Sequence, residues 1–183
     1  MARNIYGLDL GSYEIKVYDK KKDTIWKEKD VIAIADKKEI FAVGDDAYEM
    51  YEKAPSNIEV VFPMKEGVIS RFNNMQFLLQ NLLKKDRQFA RGSEYVIAVP
   101  TDVTEVEKKA FFDLVIHSTA RAREVNIVER SIADAVGLNL DVKNTGGLFI
   151  ANFGGETTEL SVLAGGGMVM NRLLKIGGVS FCL

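Results

Sequence analysis

The sequence is poor in the residues that build disulfide frameworks, metal centres and hydrolytic triads. Its 183 residues include one cysteine, Cys182, and one histidine, His117. A single thiol excludes an internal disulfide and fits a reducing compartment, so we expect a cytoplasmic protein. The lone histidine has no cysteine or carboxylate partners at metal-ligand spacing, and we expect it to be structural. Catalysis by a Ser-His-Asp or Cys-His arrangement is not indicated, since either would require His117.

The sequence also lacks an excess of one charge and any long apolar run. Lysine and arginine total 24 against 26 aspartate and glutamate residues, a net charge of −2. This balance does not build the basic field that nonspecific nucleic-acid binding needs, so we expect no nucleic-acid partner. No apolar run approaches the roughly 18 residues of a membrane span, and Met1–Tyr6 leads directly into a predicted strand. We therefore expect neither a transmembrane helix nor a signal peptide.

One short pattern does occur twice, once near each end of the chain. The first copy runs from Leu8 to Val17 and the second from Ala151 to Val162. Each copy consists of a strand, a polar residue, a tight glycine turn that carries serine or threonine, and a second strand. Glycine lets the backbone approach a ligand closely, and the N–H groups of such a turn can form an anion-binding concavity. Two such hairpins indicate two loops that hold a polyphosphate from opposite sides. This arrangement of loops resembles that of the actin superfamily.

Between the two hairpins, apolar periodicity predicts strands that alternate with helices. The apolar run Tyr95–Pro100 is expected to be a strand buried on both faces. Thr104 and Glu107 predict a capping box at the start of the next helix, with Val106 and Leu114 facing inward. The pattern indicates a mixed sheet covered by helices. The predicted strands cover 5–10, 15–19, 24–35, 40–43, 58–62, 95–100, 124–128, 148–152, 158–164 and 168–175, and the predicted helices cover 46–53, 72–84, about 104–119 and 131–139.

Several segments resemble the bacterial rod-shape actins, the MreB family. They include Ala42–Ala47, Phe62–Ile69, Val99–Lys108 and Ala122–Val125, and the similarity is collinear along essentially the whole chain. The resemblance implies an α/β fold with an actin-like (ribonuclease H-like) mixed sheet flanked by helices and a small α+β insert. It also implies a cytoplasmic, filament-forming protein of cell-shape determination. Such a protein would bind ATP with Mg²⁺, lie on the inner membrane and organise cell-wall synthesis.

The resemblance divides the chain into three parts. Residues 1–31 and 72–145 would form the first large actin-like subdomain, and residues 32–71 would form a small inserted subdomain. Residues 146–183 would begin a second large subdomain. The chain would then end about half-way along a family member, before most of the second large subdomain and its adenosine-binding turn.

The resemblance also assigns nucleotide contacts to the two glycine hairpins. Asp9 would hold Mg²⁺ through water, although a carboxylate there could equally be a turn cap. In the first hairpin Gly11, Ser12 and Lys16 would contact phosphate, although Lys16 could simply point outward from its strand. In the second hairpin, where a tight turn needs glycine in any case, the phosphate contacts would be Gly154, Gly155, Thr157 and Thr158.

Three residues depart from the family pattern where hydrolysis is performed. Asn152 replaces an aspartate and cannot take a proton, and Glu156 replaces a third glycine and adds a negative charge beside the phosphate position. Arg130 occupies the position of the glutamate that orients the attacking water. It would either bind phosphate as a cation or lie on the surface at a helix start. We assign no catalytic residue, and we expect no significant ATPase activity and only weak nucleotide binding.

Two functional interpretations stay open. The first is an MreB-like cytoskeletal protein, and the second is a catalytically inactive actin-fold adaptor that docks partners at the membrane, as pilus and division actins do. The expected partners are other copies of the chain, the inner-membrane surface and cell-wall synthesis proteins. The basic segment Lys84–Phe89 falls near the family's membrane-contact loop, although a solvated loop explains it equally well. Apolar residues expected to be uncovered favour self-association, and they are Val169, Leu173, Ile176 and Phe181.

Overall fold

Strands at both ends of the chain flank a central region in which strands and helices alternate. The computed structural model describes residues 4–37, 39–85, 92–119, 121–144 and 146–181. In chain order its elements are β1 (Ile5–Leu10), β2 (Glu14–Asp19), β3 (Thr24–Lys29), β4 (Ile32–Ala35), β5 (Glu39–Val43), α1 (Asp45–Tyr48), β6 (Ile58–Val61), β7 (Met64–Lys65), β8 (Val68–Ile69), α2 (Phe72–Lys85), β9 (Glu94–Val99), α3 (Glu105–Ile116), β10 (Glu124–Glu129), α4 (Arg130–Gly137), β11 (Leu148–Phe153), β12 (Thr158–Ala164), β13 (Gly167–Leu174) and a closing 3₁₀ turn (Gly178–Phe181).

A five-stranded mixed sheet carries the centre of the fold, in the order β10-β9-β1-β2-β3. Strands β1, β2 and β3 form an antiparallel meander, whereas β9 and β10 run parallel to β1. Because the carboxyl ends of parallel strands meet at one edge of a sheet, the ends of β1 and β10 lie on the same side of the molecule. This edge brings Asp9, near the end of β1, towards Arg130, which directly follows β10.

The main core lies between this sheet and helices α2 and α3. Alternate residues of β1 are buried, and those of β9 meet the same core. Leu78 and Leu114 are fully buried on the helical side. Complete burial of a leucine side chain is worth about 1.5–3 kcal/mol. The capping box of α3 is confirmed: Thr104 N–H donates to Glu107 Oε2 at 2.7 Å, and Glu107 N–H donates back to Thr104 Oγ1 at 3.3 Å.

Two predicted burial patterns were wrong. The side chain of Val106 is 80% exposed, because it precedes Phe111 by five residues and so lies on nearly the opposite side of a helix with 3.6 residues per turn. Strand β9 was expected to be buried on both faces, but only Tyr95, Ile97 and Val99 are fully buried. Its alternate residues are half-buried, since α4 covers the second face only in part.

A small α+β insert lies between β3 and α2. Its three-stranded sheet has the order β5-β4-β6, and the predicted strand over 24–35 is interrupted before β4 by the buried residues Asp30 and Val31. The sequence did not predict the hairpin of β7 and β8. The two residues at its tip, Glu66 and Gly67, have φ values of 52° and 85°. Positive φ at both central residues is typical of the type I′ turn that connects two-residue hairpins.

The last sheet has the order β11-β12-β13 and packs one face against α4 through Ala135, Ile150 and Leu163. The opposite face exposes Phe149 and Phe153 to 68% and 79%. As expected, Val169, Ile176 and Phe181 are exposed, whereas Leu173 is half-buried.

Two predictions concern residues of which the structure describes little or nothing. The side chains of the basic segment Lys84–Phe89 lie outside the described residues, and so does Cys182. Among the helices that are described, none is long and apolar enough to cross a membrane.

Candidate functional site

The two glycine hairpins face each other across a cleft of about 210 Å³. The β1–β2 and β11–β12 turns form its two sides, and Gly67 of the insert and Arg130 of α4 complete it. The predicted phosphate and metal residues that line the cleft are Asp9, Gly11, Ser12, Lys16, Gly154, Gly155 and Thr157. The structure therefore brings together residues from opposite ends of the chain.

The same glycine geometry is built into both hairpins. A Cβ atom on Gly11 would lie 2.8 Å from the carbonyl oxygen of Glu14, and one on Gly154 would lie 2.9 Å from that of Thr157. Both glycines are thus required by the turns themselves. Gly155 has another reason, because a Cβ there would lie 2.6 Å from Cβ of Tyr13 in the opposite hairpin. Its lack of a side chain allows the two hairpins to touch.

Asp9 is paired with two cationic side chains. Lys16, its cross-strand partner on β2, places Nζ 3.0 Å from Oδ2. Arg130 places Nη2 3.4 Å from Oδ1, and its side chain is 12% exposed. The alternative that placed Arg130 on the surface is therefore wrong: the residue begins α4, but its guanidinium lines the cleft.

This donor set does not fit Mg²⁺. The ion prefers oxygen ligands, and carboxylates serve it best when they carry uncompensated charge. Asp9 already has two cations at its oxygens, and Asn152 offers only a neutral amide. Within the described residues, no group of three or more histidine, cysteine, aspartate or glutamate side chains is arranged to hold a metal ion.

Asn152 has a partner that sequence reasoning missed. Its Nδ2 donates to Oδ2 of Asp134 at 2.7 Å. Burial raises the pKa of Asp134, while the hydrogen bond from Asn152 and the charge of Arg130 act in the opposite direction. A signal was present in the sequence, because Arg130 and Asp134 are four residues apart on one helix and such residues share a face.

The insert turn is held by both hairpins. Gly67 N–H donates to Ser12 Oγ at 3.0 Å, and Glu66 N–H donates to Glu156 Oε2 at 2.6 Å. The Glu156 carboxylate therefore binds the backbone of the insert, although the residue also lines the cleft. Its negative charge is directed to one side of the cleft, where a hydrogen-bond donor partly offsets it.

Two residues considered from the sequence lie apart from the cleft lining. Thr158 Oγ1 donates to the carbonyl oxygen of Ile176 at 2.7 Å, so the hydroxyl is committed to joining β12 to the segment after β13. His117 caps the C-terminal end of α3, with a 68% exposed side chain whose Nδ1 lies 3.9 Å from Asp113. Neither arrangement supplies a contact to the cleft.

Comparison with known proteins shows which family the chain resembles. A family model described as MreB/Mbl protein matches residues 3–181. The chain is 34% identical over 189 residues to the cell shape-determining protein MreB of Escherichia coli (strain K12), covering 99% of this chain and 54% of that protein. It is 31% identical over 183 residues to the cell shape-determining protein Mbl of Bacillus cereus (strain ATCC 10987 / NRS 248), covering 98% and 54%. The chain thus spans about half the length of the curated relatives it matches.

Solved structures of similar fold include MreB5 of Spiroplasma citri bound to ADP. That structure matches with a TM-score of 0.90 and 28% identity, over 98% of this chain and 54% of the other. The same protein bound to AMPPNP matches with a TM-score of 0.88 and 27% identity, over 99% and 55%. A MamK double helical filament matches with a TM-score of 0.77 and 21% identity, over 97% and 56%, which shows the fold alone. These matches confirm the predicted actin-like fold.

Proposed function

The chain belongs to the MreB/Mbl family of cell shape-determining, actin-like proteins, and from this we propose that it binds an adenine nucleotide in the cleft between its glycine hairpins. The observation that carries the proposal is the convergence of both hairpins on one cleft beside Lys16 and Arg130. The MreB5 structures with ADP and AMPPNP support the same ligand class. From the same family membership we also propose a role in the cytoskeleton that determines cell shape.

The chemistry of the cleft suits the phosphates of a nucleotide. Backbone N–H groups of tight glycine turns attract anions, and the glycines let a phosphate approach the main chain without meeting a Cβ atom. Ser12 accepts a hydrogen bond from Gly67, and its hydroxyl hydrogen remains as a donor for a phosphate oxygen. Lys16 adds a cation, with a 43% exposed side chain that can move from Asp9 to the ligand.

Hydrolysis of the nucleotide is not supported by the residues present. The guanidinium of Arg130 cannot accept a proton at physiological pH, and the amide of Asn152 cannot act as a base. A positioned general base typically contributes about 10²–10⁴ to the rate. We therefore propose a nucleotide-binding protein with negligible ATPase activity.

The outer face of the β11–β13 sheet supports association with other copies of the chain. Phe149, Phe153 and Met170 lie on this face and are 63–79% exposed. Exposed apolar patches of this kind commonly mark interaction sites. The MamK relative by fold is a double helical filament, and we extend self-association to this chain as a proposal.

Titration calorimetry with ADP tests nucleotide binding directly. We expect saturable binding in the high-micromolar range, because a cleft of this size encloses the phosphates rather than the whole nucleotide. Gly155→Val should abolish it by separating the hairpins. Gly146→Ala is the matched control, since a Cβ at Gly146 meets no atom within 4 Å. Absence of saturation up to about 5 mM ADP, a concentration above the largest dissociation constant expected, would refute the proposal.

A further inference from the structure

We propose that Arg130 binds the phosphates directly and takes over the charge-neutralising role of a divalent cation, so that nucleotide binding at this cleft is independent of Mg²⁺. The inference rests on the proposed nucleotide site and deepens it. Arg130 would contact the phosphates, and the Mg²⁺ that the family resemblance implies would not be required.

Arg130 lies where it can reach a ligand in the cleft. The residue follows β10 at the sheet edge where β1 also ends, and its side chain is 12% exposed in a cleft open to ligand. Its only hydrogen-bond acceptor among the described residues is Asp9, at 3.4 Å from Nη2. A guanidinium has five N–H donors in a planar fork, so that one long contact leaves donors for two phosphate oxygens.

The surrounding charges hold the guanidinium at this point. Asp9 pairs with it directly, and the charge of the guanidinium also acts on Asp134, where it opposes the rise in pKa that burial causes. The helix spacing of Arg130 and Asp134 adds to this, because residues four apart on a helix face the same way. The guanidinium is thus held beside Asp9, with its side chain 12% exposed, rather than extended into solvent.

The same arrangement disfavours a divalent ion. A dication at Asp9 would lie beside the ammonium of Lys16 and the guanidinium of Arg130, and both would repel it. The other acidic residues that line the cleft are committed elsewhere: Glu14 pairs with Lys27 at 3.7 Å, and Glu156 accepts the N–H of Glu66. Phosphate oxygens meet the opposite situation, because both cations attract them and both can form charge-assisted hydrogen bonds.

A purely structural ion pair between Arg130 and Asp9 makes a different prediction. It would stabilise the junction of β1, β10 and α4 without touching ligand, so removing it would change stability and leave the metal dependence of binding as it was. The dependence of affinity on Mg²⁺ therefore separates the two roles.

The experiment measures the dissociation constant of ADP by titration calorimetry, with the same protein in EDTA and in excess Mg²⁺. We expect the two constants to agree within about threefold for the unaltered chain, because the protein supplies the neutralising cation. Arg130→Gln should weaken binding in EDTA by about tenfold or more, as expected for loss of a charge-assisted pair of hydrogen bonds. Arg130→Glu should bind only when Mg²⁺ is present.

Arg123→Gln is the matched control, since Arg123 is exposed at the opposite end of β10 and its substitution should leave both constants unchanged. Pyrophosphate in EDTA should compete with ADP, which would place the metal-independent contact at the phosphates. The comparison of the unaltered chain in the two buffers needs no variant, so misfolding of an Arg130 variant does not prevent a decision.

Each outcome is decisive. Binding of ADP by the unaltered chain only in Mg²⁺ overturns the role of Arg130 and leaves the proposed nucleotide site standing. Unchanged affinity of Arg130→Gln for ADP in EDTA also overturns it, because Arg130 would then be structural and would not touch the phosphates. Absence of binding in both buffers overturns the inference together with the proposed function.

Discussion

The side-chain amide of Asn152 donates a 2.7 Å hydrogen bond to the carboxylate of Asp134. The contact joins the end of β11 to the middle of α4, across the seam between the last sheet and the helix that supports it. A neutral residue on the strand and a carboxylate on the helix are thus complementary. An aspartate at position 152 would disrupt this pairing.

Asn152→Asp should destabilise the protein, since two carboxylates would then face each other at hydrogen-bond distance. We expect a loss of about 1–3 kcal/mol at pH 8, with a smaller loss at pH 5, where one carboxyl group can carry a shared proton. Urea unfolding at both pH values measures this. The exchange variant Asn152→Asp/Asp134→Asn is the control and should recover most of the stability, because it reverses the direction of one hydrogen bond. Equal stability of the single variant and the unaltered chain would contradict the prediction.

Asp30 should make stability depend on pH. Burial raises the pKa of Asp30 to about 7, the nearby charge of Glu156 adds to this, and the hydrogen bond from Met64 N–H opposes it. Because the folded-state pKa exceeds the unfolded value, the folded state binds the proton more tightly. The resulting stability is present in acid and is lost as the pH rises from about 4 to 7.

Asp30→Asn should therefore stabilise the protein more at pH 8 than at pH 5, by about 2–3 kcal/mol. Its amide oxygen can still accept the N–H of Met64. Thermal unfolding of both proteins across this pH range provides the measurement. Asp46→Asn, at an exposed position in α1, is the control. A stability difference between Asp30→Asn and the unaltered chain that does not change with pH would rule out a titrating Asp30.

Glu156→Gln should strengthen nucleotide binding. The substitution removes a negative charge from the cleft lining and keeps an oxygen that can accept the N–H of Glu66. We expect the dissociation constant of ADP to fall by about 3- to 10-fold at low salt, and by less as salt screens the charge. Glu105→Gln, on the exposed start of α3, should have no effect. Weaker binding by Glu156→Gln would show that the carboxylate contributes to the site.

The chain should release phosphate from ATP at a negligible steady-state rate. Neither Arg130 nor Asn152 can act as a general base, and such a loss costs about 10²–10⁴ in rate. A coupled phosphate-release assay, with an intact bacterial actin for comparison, provides the test. Turnover comparable to that protein would show that another residue activates water.

Self-association should depend on the outer face of the β11–β13 sheet. Phe149→Ser and Phe153→Ser replace rings that are 68% and 79% exposed, so they should reduce association without disturbing the core. Static light scattering over a wide concentration range, with ANS fluorescence, measures the effect. Phe41→Ser is the matched control, since Phe41 is 63% exposed on the insert. A strictly monomeric mass for the unaltered chain at all concentrations would exclude the proposal.

Much of the fold could be predicted because its signals are local. The strand predicted over 5–10 and the Thr104–Glu107 capping box each depend on residues close together in the sequence, and both are confirmed. The β7–β8 hairpin escaped prediction because its strands have two residues each. Its turn also places Glu66 at φ 52°, a conformation that glutamate rarely adopts.

The candidate site could be predicted only in part, because its decisive contacts are long-range. The glycine turns are recognisable along the chain, but Arg130 meets Asp9 across 121 residues, and only the parallel arrangement of β1 and β10 brings them together. Asp134 was missed because its four-residue spacing from Arg130 places the two on one helix face but does not show that this face meets Asn152. The partner of Glu156, a backbone N–H on an unpredicted turn, could not be inferred from the sequence.

The turn of Glu66 and Gly67 is hydrogen-bonded to one glycine hairpin through Ser12 and to the other through Glu156. Local opening of the insert turn therefore breaks one hydrogen bond to each hairpin. A ligand that binds both hairpins stabilises these two hydrogen bonds. It should therefore slow hydrogen exchange at the backbone amides of Glu66 and Gly67. Hydrogen exchange at the insert turn, on the rim of the cleft, would then report how tightly the ligand is held.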